Sequence, residues 1–225
     1  MDEGTYAKWA WHFLEELSFL ETFVIDWEDG KIGDIGNDCM VSVDCTDCLC
    51  KTHKLANGQP DKRFCTYKCK KSGLRHEVGL SILASRIVWT SGPHLPGVYN
   101  DIMIFRKRLI HMLEDGEHVE ADNGHVGEAP RKCKIIDKSY PCTRDDNGRI
   151  KARVQSRHET INRRLKTYKA LNTVFRGSIE RHSTCFRAAA VMISLAFESG
   201  EQELFDVRER DDDLNDELAA ELCGL

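Results

Sequence analysis

The sequence predicts an α/β fold in which helices flank a mixed sheet. Two observations predict it. Short β-branched runs crowd the first half of the 225-residue chain, whereas the second half carries helical periodicity. One more strand-like run, Glu117–Ala121, follows the first central helix, so a late strand must rejoin a sheet already begun.

The elements follow in order. Tyr6, Trp9, Ala10, Phe13, Leu14, Leu17 and Leu20 recur at three- and four-residue steps, which predicts an amphipathic helix lying on the core. A polar link, Glu28–Asn37, follows. Met40–Asp44 alternates and reads as a strand ending at Asp44. Thr52–Lys62 contains Asn57-Gly58 and Pro60 and reads as a loop. Arg63–Lys68 fits a short strand. Leu74–Leu83 and Arg86–Thr90 read as two strands joined by a tight turn. Ser91–Gly97, with two prolines and two glycines, is expected to be a loop. Asp101 caps a helix with Ile102, Ile104, Phe105, Leu109 and Met112–Leu113 on its apolar side. After the Glu117–Ala121 strand, Asn123–Gly148 shows no period. Ala152–Phe175 is the longest helix expected, with Ile161, Leu165, Tyr168 and Leu171 on one face. Arg187–Glu198 reads as a second, mostly buried helix. The chain thus divides into residues 1–38 (a helix and linker packed on the core), 39–199 (the main domain) and 200–225 (an acidic, flexible tail).

Composition sets bounds. At 41% hydrophobic and 31% charged residues, the chain can bury a core without staples. The first residues lack a secretion signal, and the longest apolar run, Ala188–Phe197, is too short to span a bilayer. An intracellular protein with no membrane partner is expected. Ten cysteines are then thiols or metal ligands. Cys45, Cys48, Cys50, Cys65 and Cys69 admit a zinc reading, but no second C-x-x-C pair stands at finger spacing, and packing is the stronger reading.

The net charge of −5 hides a segregation. Between Glu198 and Glu221, eleven acids face two arginines, whereas Arg149–Arg187 holds eleven Lys or Arg against Glu159 and Glu180. A basic body with an acidic tail suits a polyanionic partner; the plainer alternative is a solvated helix face. Arg157, Arg163, Arg164, Lys166 and Lys169 are the candidate nucleic-acid contacts.

Three carboxylates point to chemistry. Asp44 and Asp122 each end an apolar run, and Glu159 sits in the basic stretch. Two hard cations about 4 Å apart can activate a water and stabilise a leaving oxygen in phosphodiester cleavage, and carboxylates are their natural ligands. Each residue has a plainer reading. Asp44 and Asp122 can start turns. Ser156-Arg157-His158-Glu159 spells a capping box, and spacing alone favours that role for Glu159. Asp101 could help to position a substrate, and His94, His125 and His158 could each assist proton transfer.

The strings VSVDCTD, GLRHEVGL, IVWTSGPHLPGVYNDIMIFR, VEADNGHVGE, RHETINRRLK and FRAAAVMISLAFESGE, in this order, resemble the DDE superfamily endonucleases of PIF/Harbinger-type DNA transposases. The resemblance runs from about Tyr6 to about Phe205. It implies a ribonuclease-H-like fold and a DDE triad of Asp44, Asp122 and Glu159 holding two Mg²⁺ or Mn²⁺ ions. It implies a nuclear endonuclease and strand transferase acting on double-stranded DNA, both transposon ends and target. Only 43 residues precede Asp44, fewer than the helix-turn-helix domain that such transposases often use, so end recognition is expected to need a missing segment or a separate DNA-binding partner protein. Cys45 stands where such sequences usually carry glycine, and a side chain there is expected to crowd the metal site. His125 replaces a usual tyrosine, and Cys48 a usual aromatic residue. A transposase-derived DNA-binding protein without catalysis is the alternative, and a zinc-binding module a third.

Overall fold

The computed structural model describes residues 2–31, 39–114, 117–122, 125, 135–136, 149–201 and 203–204. Five strands, β1 (Cys39–Leu49), β2 (Gly73–Ser81), β3 (Ile87–His94), β4 (His118–Ala121) and β5 (Ile135–Ile136), form one sheet in the order β3-β2-β1-β4-β5. β2 runs antiparallel to both β1 and β3, while β4 and β5 run parallel to β1. The fold is therefore α/β with a mixed sheet flanked by helices.

Side chains alternate across the pleat, so β1 feeds two cores. On one face Val41 and Val43 join Val88, Val119, Trp27 and the helix α3 (Asp101–Lys107) through Ile102 and Phe105. On the other, Cys48, Val78, Leu80 and Ile87 meet α4 (Arg149–Leu165) through Ile161 and Leu165, and α6 (Ile179–Glu198) through Phe186, Ala189, Ala190 and Ile193. The short α5 (Lys169–Asn172) adds Leu171. No described helix is long and apolar enough to cross a membrane.

Several elements differ from the sequence reading. β1 continues to Leu49, so Asp44 lies mid-strand, because β2 pairs with β1 along its length from Val41 to Leu49. β3 extends through Ser91–His94 despite its glycine and proline. It is an edge strand, where proline is tolerated, and the register slips between Arg75 and Glu77, opposite Gly92-Pro93. Arg63–Lys68 is no strand: a 3-10 turn, Lys62–Phe64, is capped by Asp61, whose carboxylate accepts from the Arg63 N–H. Asn100, not Asp101, caps α3.

The helices shift too. α4 stops at Leu165, and Lys166–Tyr168 turn the chain before α5, so no helix spans Ala152–Phe175. α6 begins at Ile179, capped by Ser178; its first turns read as polar, yet His182 is buried against His76. The helix α1 (Glu3–Phe19) packs on α6, with α2 (Glu21–Val24) following it. Its contact face is Trp11 and Leu14, with the Arg181 guanidinium 4.6 Å above the Trp11 ring. The expected stripe splits: Ala10, Leu14 and Leu17 are half-buried, whereas Tyr6, Trp9 and Phe13 are each at least 60% exposed. The buried face is thus centred on Trp11 and Leu14, one side of the stripe that the spacing marks. The acidic segment beyond Leu204 and nearly all of Asn123–Gly148 lie outside the described residues.

Candidate active site

Adjacent parallel strands bring the two aspartates together. Ser42 pairs with Glu120 and Val43 with Ala121, so Asp44 and Asp122 are the next residues on neighbouring strands. The parallel ladder ends there, and a cleft opens at the point where a sheet of this kind offers a ligand site. The cleft holds about 400 Å³ and is lined by Asp44, Asp122, Glu159, Lys68, His158 and Asn162, with Ser42 and Glu120 at its base. Three carboxylates separated by 78 and 37 residues in sequence thus share one cleft.

Helix α4 is aimed by its polar groups as well as by Val154, Ile161 and Leu165, which are buried. His158 Nε2 stands 2.8 Å from Ser42 Oγ, and Asn162 Nδ2 donates to Asp44 Oδ2 at 3.1 Å. These contacts bracket Glu159, which is exposed on the wall of the cleft. Ser156 is deep inside α4, where its carbonyl accepts from Thr160 Oγ1 at 3.0 Å, so the capping-box reading of Glu159 is excluded.

Burial pushes the Asp44 carboxyl above its usual pKa, and the Asp122 charge pushes in the same direction; Lys68 and the Cys45 N–H oppose them. Crowded carboxylates of this kind are the donor chemistry that suits a hard divalent cation. Among the described residues, however, no group of three or more His, Cys, Asp or Glu side chains is arranged to hold a metal ion. The donor types fit a cation, while Asp44 Oδ1 and Oδ2 are engaged by the Cys45 N–H and by Asn162.

Cys45 does not crowd the cleft. Strand alternation sends its thiol to the opposite face of the sheet, beside Asp101, Glu77 and Arg75, where burial raises its pKa. Cys45, Cys48 and Cys50 are buried free thiols, and Cys69 Sγ lies 2.8 Å from Thr66 Oγ1. His125 is buried with Nδ1 3.1 Å from Asp122 Oδ1. His94 is buried beside Ser91. Burial pushes His94 and His158 down to about 4, which leaves both neutral at physiological pH.

The five predicted nucleic-acid contacts separate. Arg157 is 1% exposed and donates to the carbonyls of Ser81 and Ala84, tying α4 to the end of β2. Lys166 Nζ donates to the carbonyls of Asp47 and Leu171 and to Cys48 Sγ. Arg157 is an interior support and half-buried Lys166 is engaged by those acceptors, a correction to the sequence reading, which could not tell a basic surface from basic side chains drawn inward by carbonyls. Arg164 covers the Phe197 ring at 5.2 Å. Arg163 and Lys169 are exposed.

Asp101 is likewise spent on an ion pair. Arg75, 6% exposed, donates from Nε and Nη2 to the two Asp47 oxygens at 2.7 and 2.9 Å, and from Nη1 to Asp101 at 2.7 Å. Next to it Glu77 is fully buried and accepts from Trp89 Nε1 at 2.7 Å. Burial raises the Glu77 carboxyl from 4.5 to about 7. The folded chain therefore holds this proton more tightly than the unfolded chain between those values. The resulting stability is full below the lower value and is lost as pH rises through the upper one. Glu77→Gln keeps an acceptor for Trp89 and removes the ionisation. It is expected to exceed the parent chain by about 3 kcal/mol at pH 8 and to match it near pH 4, measured by urea denaturation at both. The depressed buried histidines act in the opposite sense in both chains, so the difference between the two isolates Glu77.

Sequence reasoning missed Asn162, Lys68 and Arg75. Asn162 follows Glu159 by three residues and so shares its helix face, a signal that was available. Lys68 carries no such signal, because it reaches the cleft from the long connection between β1 and β2. No family model, curated protein or solved structure matches the chain.

Proposed function

We propose that this protein is a metal-dependent nuclease of the DDE type on a ribonuclease-H-like fold, cutting DNA backbones with Asp44, Asp122 and Glu159. The observation that carries this reading is that all three carboxylates line one cleft. The sheet order β3-β2-β1-β4-β5, with β2 antiparallel and β4 parallel to the central β1, supports the fold assignment. The resemblance to PIF/Harbinger-type transposases supplies the reaction class: water attacks phosphorus and the bond to the 3′ oxygen breaks; the freed 3′-hydroxyl, losing its proton, then attacks a target phosphodiester, whose own bond to its 3′ oxygen breaks and releases a target 3′-hydroxyl. Bound Mg²⁺ or Mn²⁺ ions would lower the pKa of that water and stabilise the leaving oxygen. Asp44 and Asp122 would supply the shared ligands and Glu159 a third. Asn162 orients Asp44, and Lys68 offers a positive charge at the cleft wall. A nuclear location and a separate partner that reads transposon ends belong to the same proposal.

A second reading, a DNA-binding protein without catalysis, is favoured by one observation: both Asp44 carboxylate oxygens are already engaged, by the Cys45 N–H and by Asn162. Nicking of supercoiled plasmid separates the two. The nuclease reading expects open circles with Mg²⁺ or Mn²⁺ and none with EDTA. Intact plasmid in every divalent cation, from protein that still retains DNA, would decide for the second.

A further inference from the structure

The connection between β1 and β2 carries seven Lys or Arg residues and one acid, Asp61, between Lys51 and Lys71. This excess of six positive charges in 21 residues is denser than that of the α4–α6 region, where the charges are partly drawn into the interior. Asp61 neutralises Arg63. Lys62, Lys68, Lys70 and Lys71 are exposed, and among the described residues none of them forms an ion pair.

The connection is built, not loose. The Thr66 N–H donates to the Lys71 carbonyl and the Lys70 N–H to the Thr66 carbonyl, both at 2.9 Å, closing a tight turn. Lys70 adopts φ of 52°, a left-handed conformation that costs a lysine energy and that turns usually leave to glycine or asparagine. Upstream, the Gly97 N–H donates to the Arg63 carbonyl, and a Cβ at Gly97 would collide with the Lys62 carbonyl, so this approach requires glycine.

The turn borders two clefts. Lys68 lines the carboxylate cleft, beside Asp44. Lys70 and Lys71, with Lys62, line a second cleft of about 340 Å³ that runs past Cys50 and Val174. A carboxylate site alone repels a polyanion, and a nuclease must hold phosphates on either side of the one it cuts.

We propose that the Thr66–Lys71 turn is the backbone grip of this site: a DNA strand in the carboxylate cleft passes Lys68 and continues into the groove lined by Lys62, Lys70 and Lys71. The inference rests on the reading of this protein as one that acts on DNA, and it concerns binding, not cleavage. The ligand chemistry is the phosphodiester backbone.

The test is fluorescence anisotropy of a labelled 20-nucleotide DNA, as duplex and as single strand, titrated with the full chain in EDTA across a range of KCl. The triple variant Lys68→Gln, Lys70→Asn, Lys71→Gln is compared with the parent; asparagine tolerates the left-handed turn. Expected is binding at least about tenfold weaker, with the slope of log affinity against log salt shallower by about 2 to 3 on duplex and about 2 on single strand. The single variant Lys71→Gln is expected to lower the duplex slope by about 0.9. An unchanged slope in the triple variant overturns the proposal even if the protein cuts DNA, and so does a parent chain that binds neither form. Salt-sensitive binding that depends on these lysines, without nicking in any cation, upholds it while the nuclease reading falls.

Discussion

Asp44→Asn, Asp122→Asn and Glu159→Gln are each expected to reduce cation-dependent plasmid nicking by about three orders of magnitude. Stabilisation by bound cations is worth several kcal/mol at the transition state, and every 1.36 kcal/mol is a factor of ten. Each substitution is close to isosteric and removes one negative charge from the same cleft. None should unfold the chain. Glu159 is exposed, the Asp122 side chain is 43% exposed, and Asp44→Asn relieves a half-buried carboxylate whose ionisation is already disfavoured. The measurement is the initial nicking rate in Mn²⁺, with melting temperature as the folding control. Retention of parental rates by all three variants would remove the cleft from the chemistry.

Arg75→Ala is expected to cost about 3–5 kcal/mol of folding stability. Removing one partner of a buried ion pair strands the other charges out of water. Here two carboxylates, Asp47 and Asp101, lose their only described ion-pair partner at once. Asp47 is bound bidentately across the β1–β2 ladder, and Asp101 is the first residue of α3, so the arginine fastens that helix to the face of the sheet opposite the cleft. Chemical denaturation measures the loss. Asp101→Asn leaves the Asp47 pairing in place and should cost clearly less. Equal stability of Arg75→Ala and the parent chain would show that the triad holds nothing together.

Apolar pattern was readable wherever burial is one-sided and periodic. Val41, Val43, Val119 and Ala121 placed two strands, and Ile102, Phe105, Ile161 and Leu165 placed the faces of α3 and α4, because a single apolar stripe has one place to go. The pattern failed where two outcomes shared one composition. The apolar stripe of α1 is wider than its contact: Leu14 packs beside Trp11 toward α6, while Tyr6, Trp9 and Phe13 stay exposed. The Ser91–His94 segment carries strand-breaking residues, yet it lies at the edge of the sheet, where they do no harm. The end of α4 has no glycine or proline to announce it; Lys166 reaches out to the carbonyls of Asp47 and Leu171 there.

By itself, the sequence determined the α/β class, the apolar faces of its central elements, and the three carboxylates with the chemistry they suggest. Local periodicity and residue type contain that much. Only the tertiary structure decided that Asp44 and Asp122 stand side by side, because strand register is a long-range pairing that neither run specifies alone. It also decided which basic groups face water. Arg157 and Lys166 turn inward to satisfy carbonyls, whereas Lys68 reaches the cleft on a turn that begins more than 20 residues after Asp44. A side chain's charge is written in its formula, but its partner is set by whichever unsatisfied group the fold places within reach.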